Sequence, residues 1–231
     1  FTVENDWEFG IALTTIEKII YDSKLPIIKW FSMPRNVFRG DPFGMKINNI
    51  YYVFYEEYQK EKKYGTINCM LLDANHKIID NRIIIEDGTH FSFPVVFEYK
   101  SNYYILPENC KKGKLTLYKA IEFPFRWKEE KVLLNLPCVD SIIFYEDNLW
   151  WLIYSNANTE NGNAVLYLRK NHDLFGNWEI SPELTVNKDA YNTRCGGNVF
   201  KYNNILYRVT QNCTNSYGQS VVINRIIKLS D

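Results

Sequence analysis

The chain has 231 residues, 46% of them hydrophobic, with 27 basic and 27 acidic side chains. A formal net charge of zero exerts no long-range pull on nucleic acid or an anionic membrane surface, which argues against either partner. No apolar run approaches the ~18 residues of a membrane-spanning helix.

In chain order, the first segments are "WEFGIAL" and "PIIKWF", two strand-like runs flanking the only stretch with helical character, Thr14 to Ile20. From Asp41 onward, short apolar runs alternate with clusters of Asn, Gly, Asp and Lys, the pattern of short strands joined by turns. Four units superimpose on bulky pairs: Tyr51-Tyr52, Tyr103-Tyr104, Trp150-Trp151 and Leu206-Tyr207. Each pair follows a turn-like cluster ("KINN", "YKSN", "YEDN", "KYNN"), and each cluster follows an apolar run ("PFGM", "PVVF", "SIIF", "NVF"). The anchors Tyr52, Tyr104, Trp151 and Tyr207 lie 52, 47 and 56 residues apart. A glycine (Gly65, Gly113, Gly162, Gly218) then opens a third run, and two units end in aromatic tags at Trp127 and Trp178. A period of this size with three or four strands per unit predicts an all-β, five-bladed β-propeller, the N-terminal segments supplying the fifth blade. An irregular sandwich is the alternative. The chain reads as one domain, 1–231, and its start at Phe1 without a leader reads as a piece of a longer or processed protein.

The repeat places charged residues at one rim. Eleven residues before the anchors stand Asp41, Phe93, Asp140 and Gly196, and four residues after them stand Glu56, Glu108, Ser155 and Gln211. In an antiparallel hairpin these two positions share one end. Asp41, Glu108 and Asp140 are therefore the candidate catalytic residues, with Glu56, His90, Arg194, Arg208 and Gln211 as candidate substrate contacts. Paired carboxylates suit glycosidic-bond cleavage: one protonated carboxyl donates to the leaving oxygen while a carboxylate activates water or attacks the anomeric carbon. A third carboxylate holds the acid's pKa up. Taken singly, each of these residues reads as a strand end or a turn cap. The 17 Tyr, 14 Phe and 6 Trp serve mostly as strand and core residues, with a minority suited to stacking on sugar rings.

The segments "GDPF", "YYVFYEE", "HFSFPVVFEYKSNYYILPE", "RCGG" and "YRVTQNCTNSYG" together resemble one module. It is similar to the propeller-like domain N-terminal to the glycosyltransferase of plant glucosamine inositolphosphorylceramide transferases, found beside formyltransferase-like domains in bacteria. More distantly it resembles the five-bladed propeller glycosidases of the arabinanase/β-xylosidase and invertase groups. The closer resemblance runs from about Trp7 to Leu229 and implies a sugar-directed module. The glycosidase resemblance implies that Asp41 is base or nucleophile, with Asp140 and Glu108 as the tuning aspartate and the acid. Glu108, however, follows the second strand of its unit, whereas the acid of those glycosidases opens an innermost strand. Two functions stay open: a glycoside hydrolase, or a non-catalytic glycan-binding or scaffolding propeller linked to a glycosyl- or formyltransferase.

No HExxH, zinc-type Cys/His spacing, nucleophile elbow or GxGxxG precedes a helix, so no metal and no cofactor is expected. The five cysteines, Cys69, Cys110, Cys138, Cys195 and Cys213, read as reduced thiols of a cytosolic or cytosol-facing chain; a secreted chain with one or two disulfides is the other reading.

Overall fold

The computed structural model describes residues 7–22, 26–158, 165–181, 183–187 and 189–229. Gly162 falls outside them. The regular secondary structure of the described residues is almost entirely β, in keeping with their Tyr, Val, Ile and Phe content. One short helix, α1 (Ile16–Tyr21), lies where helical character was expected, capped by Thr15 accepting from the Lys18 N–H.

Five antiparallel sheets follow one another along the chain. The first pairs β1 (Gly10–Ala12) with β2 (Ile28–Trp30). The second contains β3 (Val37–Ile47), β4 (Ile50–Gln59), β5 (Tyr64–Leu72) and β6 (Ile78–Ile85). The third contains β7 (Ser92–Tyr99), β8 (Asn102–Glu108), β9 (Leu115–Glu122) and β10 (Arg126–Leu134). The fourth contains β11 (Cys138–Glu146), β12 (Leu149–Asn156), β13 (Leu166–Asn171) and β14 (Leu184–Asn187). The fifth contains β15 (Phe200–Tyr202), β16 (Ile205–Asn212) and β17 (Ser220–Arg225). Strands neighbour one another in chain order, and each of the four aromatic units occupies one sheet.

The turns between the first two strands of each unit are two residues long. Three of them place both residues at positive φ: Lys100-Ser101 (49° and 57°), Asp147-Asn148 (52° and 62°) and Asn203-Asn204 (49° and 60°). This is the geometry of the primed hairpin turn, whose twist matches that of the flanking strands, and Asn and Asp tolerate it best.

A second device recurs on the first strand. Pairing slips by one residue between Gly40 and Phe43, between Ser92 and Val95, and between Val139 and Ile142. Each slip is a β-bulge, and its centre is left-handed: Asp41 (50°), Phe93 (48°) and Asp140 (44°). These are the residues eleven before each anchor. A bulge turns a side chain out of the regular alternation; Asp41 and Asp140 thereby line one pocket, while Phe93 packs edge-on against Phe43 in the core. Pro42 and Pro94 sit inside two of the bulges, where no ladder N–H is required.

The sheets meet through these first strands, β3 packing on β7 and β7 on β11. Farther out, each aromatic tag wedges against the preceding unit. Phe123 meets the anchor Tyr52 (5.0 Å between ring centroids) and Trp127 meets Phe54 (6.0 Å). Phe175 likewise meets the anchor Tyr104 at 5.8 Å, while Trp178 is fully buried with its indole N–H on the Leu174 carbonyl. The larger core cluster runs from Phe43 and Phe54 through Leu106 and Ile142 to Trp178, and a smaller one gathers Phe9, Phe31, Val53, Tyr55, Met70 and Leu72.

Candidate functional site

The bulged ends of the first strands open on a pocket of about 250 Å³. Its lining includes Asp41, Glu56, His90, Glu108, Asp140, Arg194 and Gln211, so seven of the eight residues singled out in the sequence meet there. Arg208 does not line it. The Arg208 guanidinium is buried and donates to the carbonyl oxygens of Asn192 and Thr193, bracing the segment that carries Arg194. Strand parity explains the difference: Arg208 and Gln211 are three residues apart on β16 and so face opposite sides. Trp7, Phe38, Tyr58, Ser92 and Tyr217 also line the pocket without having been singled out. Tyr58 shared the parity of Glu56 and was recoverable on that ground. Trp7 and Tyr217 lie outside the strands and carried no such signal.

The polar groups link one unit to the next around the pocket. The Phe93 N–H donates to Asp41 Oδ2 at 3.3 Å, joining the first aromatic unit to the second. The Asp140 N–H donates to Glu108 Oε2 at 2.8 Å, joining the second to the third. Asp140 Oδ2 accepts from Gln211 Nε2 at 3.0 Å and pairs with Arg194 Nε, joining the third to the fourth. The Arg194 guanidinium also lies over the ring of Tyr217, 4.9 Å from its centroid.

Asp140 and Glu108 form a closed set. Burial raises the Asp140 pKa, and the Arg194 charge and the bonds from Glu108, Arg194 and Gln211 offset part of that rise. Burial, then the Asp140 charge, pushes Glu108 up to about 8, and its proton is directed at Asp140. The Cys110 thiol lies 3.4 Å from Glu108 Oε1 and 3.1 Å from the Cys138 carbonyl oxygen.

Asp41 and Glu56 are the open pair. Loss of solvent, then the Asp140 charge, lifts Asp41 to about 7 against the pull of Arg194 and the Phe93 N–H. Burial, then the charges of Asp41, Glu108 and Asp140, lifts Glu56 to about 9. Glu56 Oε1 is buried and makes no hydrogen bond. It rests against Gly65, where an added Cβ would stand 2.6 Å from that oxygen, so the glycine makes room for the carboxyl. His90 Nδ1 accepts the Gly65 N–H at 2.8 Å, which leaves the remaining ring proton on Nε2, 3.6 Å from Glu56 Oε1. Burial holds the His90 pKa below its ordinary value, with Lys111 adding to the effect. At neutral pH the pocket thus presents a protonated Glu56, a neutral His90 and an Asp41 near its midpoint.

The chemistry of such a site is proton donation, proton acceptance and hydrogen bonding to hydroxyls beneath an aromatic mouth of Trp7, Tyr58 and Tyr217. Among the described residues, no group of three or more His, Cys, Asp or Glu is arranged to hold a metal ion. No described helix is long and apolar enough to cross a membrane.

Known proteins place this geometry in context. The chain resembles an exo-1,5-α-L-arabinanase from a bovine ruminal metagenomic library with a TM-score of 0.64 at 11% identity, covering 87% of this chain and 82% of that one. It resembles an exo-β-1,3-galactanase from Clostridium thermocellum with a TM-score of 0.65 at 11% identity, covering 84% and 48%. At such identity the likeness shows the fold alone, that of the β-propeller glycosidases. In sequence, a protein of Arabidopsis thaliana called glucosamine inositolphosphorylceramide transferase 1 is 33% identical over 203 residues, 86% of this chain and 26% of the relative. Its counterpart in Oryza sativa subsp. indica is 33% identical over 199 residues, 84% of this chain and 27% of the relative. The chain spans about a quarter of the length of these curated relatives. The family model described as "Glucosamine inositolphosphorylceramide transferase 1, N-terminal" matches residues 28–231, and the chain belongs to that family.

Proposed function

We propose that the pocket binds a sugar residue and that the chain is the glycan-recognition module of a larger glycosyltransferase. The observation that carries this is the convergence of Asp41, Glu56, His90 and Gln211 beneath the rings of Trp7, Tyr58 and Tyr217. Carboxyl, amide and imidazole groups bond hydroxyls, and aromatic faces stack on the C–H face of a ring. The relatives' names supply the transferase, and the short span of this chain within them supports a module joined to it.

The five sheets are read here as the blades of a five-bladed propeller. Support comes from the N-terminal segment, which sits between the first aromatic unit and the last. The Trp7 carbonyl accepts the Arg39 N–H of β3 at 2.8 Å, and the Trp7 ring meets Tyr217 edge-on at 6.1 Å.

Glycosidic-bond cleavage is the second reading, favoured by one observation: Glu56 holds its proton at neutral pH beside Asp41, which ionises close to neutrality. In this reading Glu56, rather than Glu108, donates the proton to the leaving oxygen, since the Glu108 proton is engaged by Asp140. Asp41 then activates water or attacks the anomeric carbon.

A glycan panel scored for both binding and cleavage separates the readings. The recognition module binds one glycan class without turnover, and Asp41→Asn weakens that binding. Turnover with a bell-shaped pH profile, lost in Asp41→Asn and Glu56→Gln, establishes the hydrolase instead. A panel with neither binding nor turnover removes both.

A further inference from the structure

Two cavities meet at one indole. The pocket described above, of about 250 Å³, and a second of about 300 Å³ share Trp7, Gly40, Asp41 and Gln211 in their linings. The second lies between the first and last aromatic units, with Arg39, Pro42 and Phe43 of β3 on one side and Gly196, Gly218 and Val221 on the other. Trp7 is held from both units. Its carbonyl accepts the Arg39 N–H at 2.8 Å, and its ring meets Tyr217 edge-on at 6.1 Å. Tyr217 lines the first cavity and Gly218 the second. An added Cβ on Gly218 would stand 2.6 Å from Trp7 Cη2, so the far edge of the indole abuts the chain at the boundary between the two cavities. The floor of the first cavity is closed as well. Asp140 is only 3% exposed there, and its bonds with Glu108, Gln211 and Arg194 seal the seams between units.

We propose that Trp7 is the specificity-determining residue of the pocket: it walls the first cavity off from the second and so restricts the ligand to the terminal residue of a glycan. This rests on the reading of the pocket as a sugar site. The physical argument concerns exits. A residue inside a glycan carries a neighbour on each side and needs two ways out of its site, whereas a terminal residue needs one. A cavity of about 250 Å³ lies below the ~300–1,000 Å³ of sites that take larger ligands. With its floor closed by the bonds between units and one flank closed by Trp7, it admits one ring and leaves one way out, through the aromatic mouth. Without the indole the two cavities join into a trough, with Asp41 and Gln211 at its middle to bond hydroxyls of successive rings.

The test is titration calorimetry of the protein with the methyl glycosides of glucose, galactose, xylose and arabinose, and with the linear tri- and hexasaccharides of each. For the sugar that binds, affinity per molecule should stay within ~3-fold from the single residue to the hexasaccharide, since each molecule offers one matching end. A larger gain with length means that internal residues are read; it overturns the inference and leaves the sugar site standing. This length series uses the wild-type protein and stands whatever the stability of any variant. Trp7→Ala, its fold checked by thermal melting, should bind the hexasaccharide at least ~10-fold tighter than the single residue. Trp7→Phe, which keeps a ring in the wall, should stay indifferent to length. Trp7→Ala weakening every length equally makes the indole a stacking surface rather than a wall and overturns the role assigned to it. If the protein cleaves the oligosaccharides, release of single residues supports the inference and mid-chain fragments contradict it. Binding of no sugar in the series removes the sugar site and this inference together.

Discussion

Glu56 and Glu57 are neighbours in sequence and opposites in environment. Strand alternation sends Glu57 to the other face, where Arg39 Nε holds it at 2.8 Å, while Glu56 enters the pocket without a cation. In the fold Glu56 keeps its proton up to about pH 9, against an ordinary value of 4.5. Between those values the unfolded chain binds fewer protons than the folded one. Its contribution to stability is therefore present at low pH and lost as pH rises through that window. Glu56→Gln should flatten this dependence, raising Tm at pH 8 by about 2–4 °C, the shift that ~1 kcal/mol makes in a domain of this size, and changing it little at pH 4. Thermal melts of both proteins across pH check it; a fall in Tm at pH 8 contradicts the assignment. Asp140 differs from Glu56 in having partners, the Arg194 guanidinium and the Gln211 amide. Asp140→Ala leaves the buried Arg194 uncompensated and frees Gln211, and should cost about 3–5 kcal/mol in denaturant unfolding. A loss under 1 kcal/mol would show that the Asp140 network is not what joins the units.

At the scale of elements, the hairpin turn and the bulge repeat because the sequence repeats. The turn clusters were legible, since Asn and Asp accept positive φ and their positions followed from the aromatic anchors. "YKSN" is the exception: Lys100 and Ser101 adopt the same left-handed geometry without the side chains that favour it. Replacing the pair with Asn-Gly should stabilise the protein by about 1 kcal/mol, read as a higher denaturant midpoint at unchanged slope. The bulge was only half legible. Its position eleven residues before each anchor could be counted, but that Asp41 and Asp140 occupy αL backbone could not. Nor could the partners of Glu108. Counting along strands places a residue at a rim, whereas the bond from the Asp140 N–H depends on how one sheet docks on the next. Arg208 faces away for a simpler reason, strand parity: three residues from Gln211, it lies on the opposite side of β16.

Over the whole molecule, the links around the pocket give its residues a double role. Asp41, Glu108 and Asp140 each hold a neighbouring unit, so part of the carboxylate pattern belongs to assembly. The four-unit repeat and the gathering of its rim residues followed from sequence spacing alone. The mouth did not, because Trp7 precedes the first unit, Tyr217 lies in the loop of the last one, and the two meet only when those units approach. Gly218 marks that meeting: its φ is +62°, and an added Cβ would stand 2.6 Å from Trp7 Cη2. Gly218→Ala should destabilise the fold by about 1–2 kcal/mol. Trp7→Ala should absorb part of that cost in a double-mutant cycle, because the two sites touch. Strict additivity would separate them. The central claim is that a sugar residue occupies the pocket between Glu56 and Asp41 on one side and the Tyr217 and Trp7 rings on the other. A crystal structure of the chain with the tightest glycan from the panel tests it directly. The account predicts one sugar ring within hydrogen-bond reach of both carboxyls; a glycan bound elsewhere, with the pocket filled only by water, would contradict it.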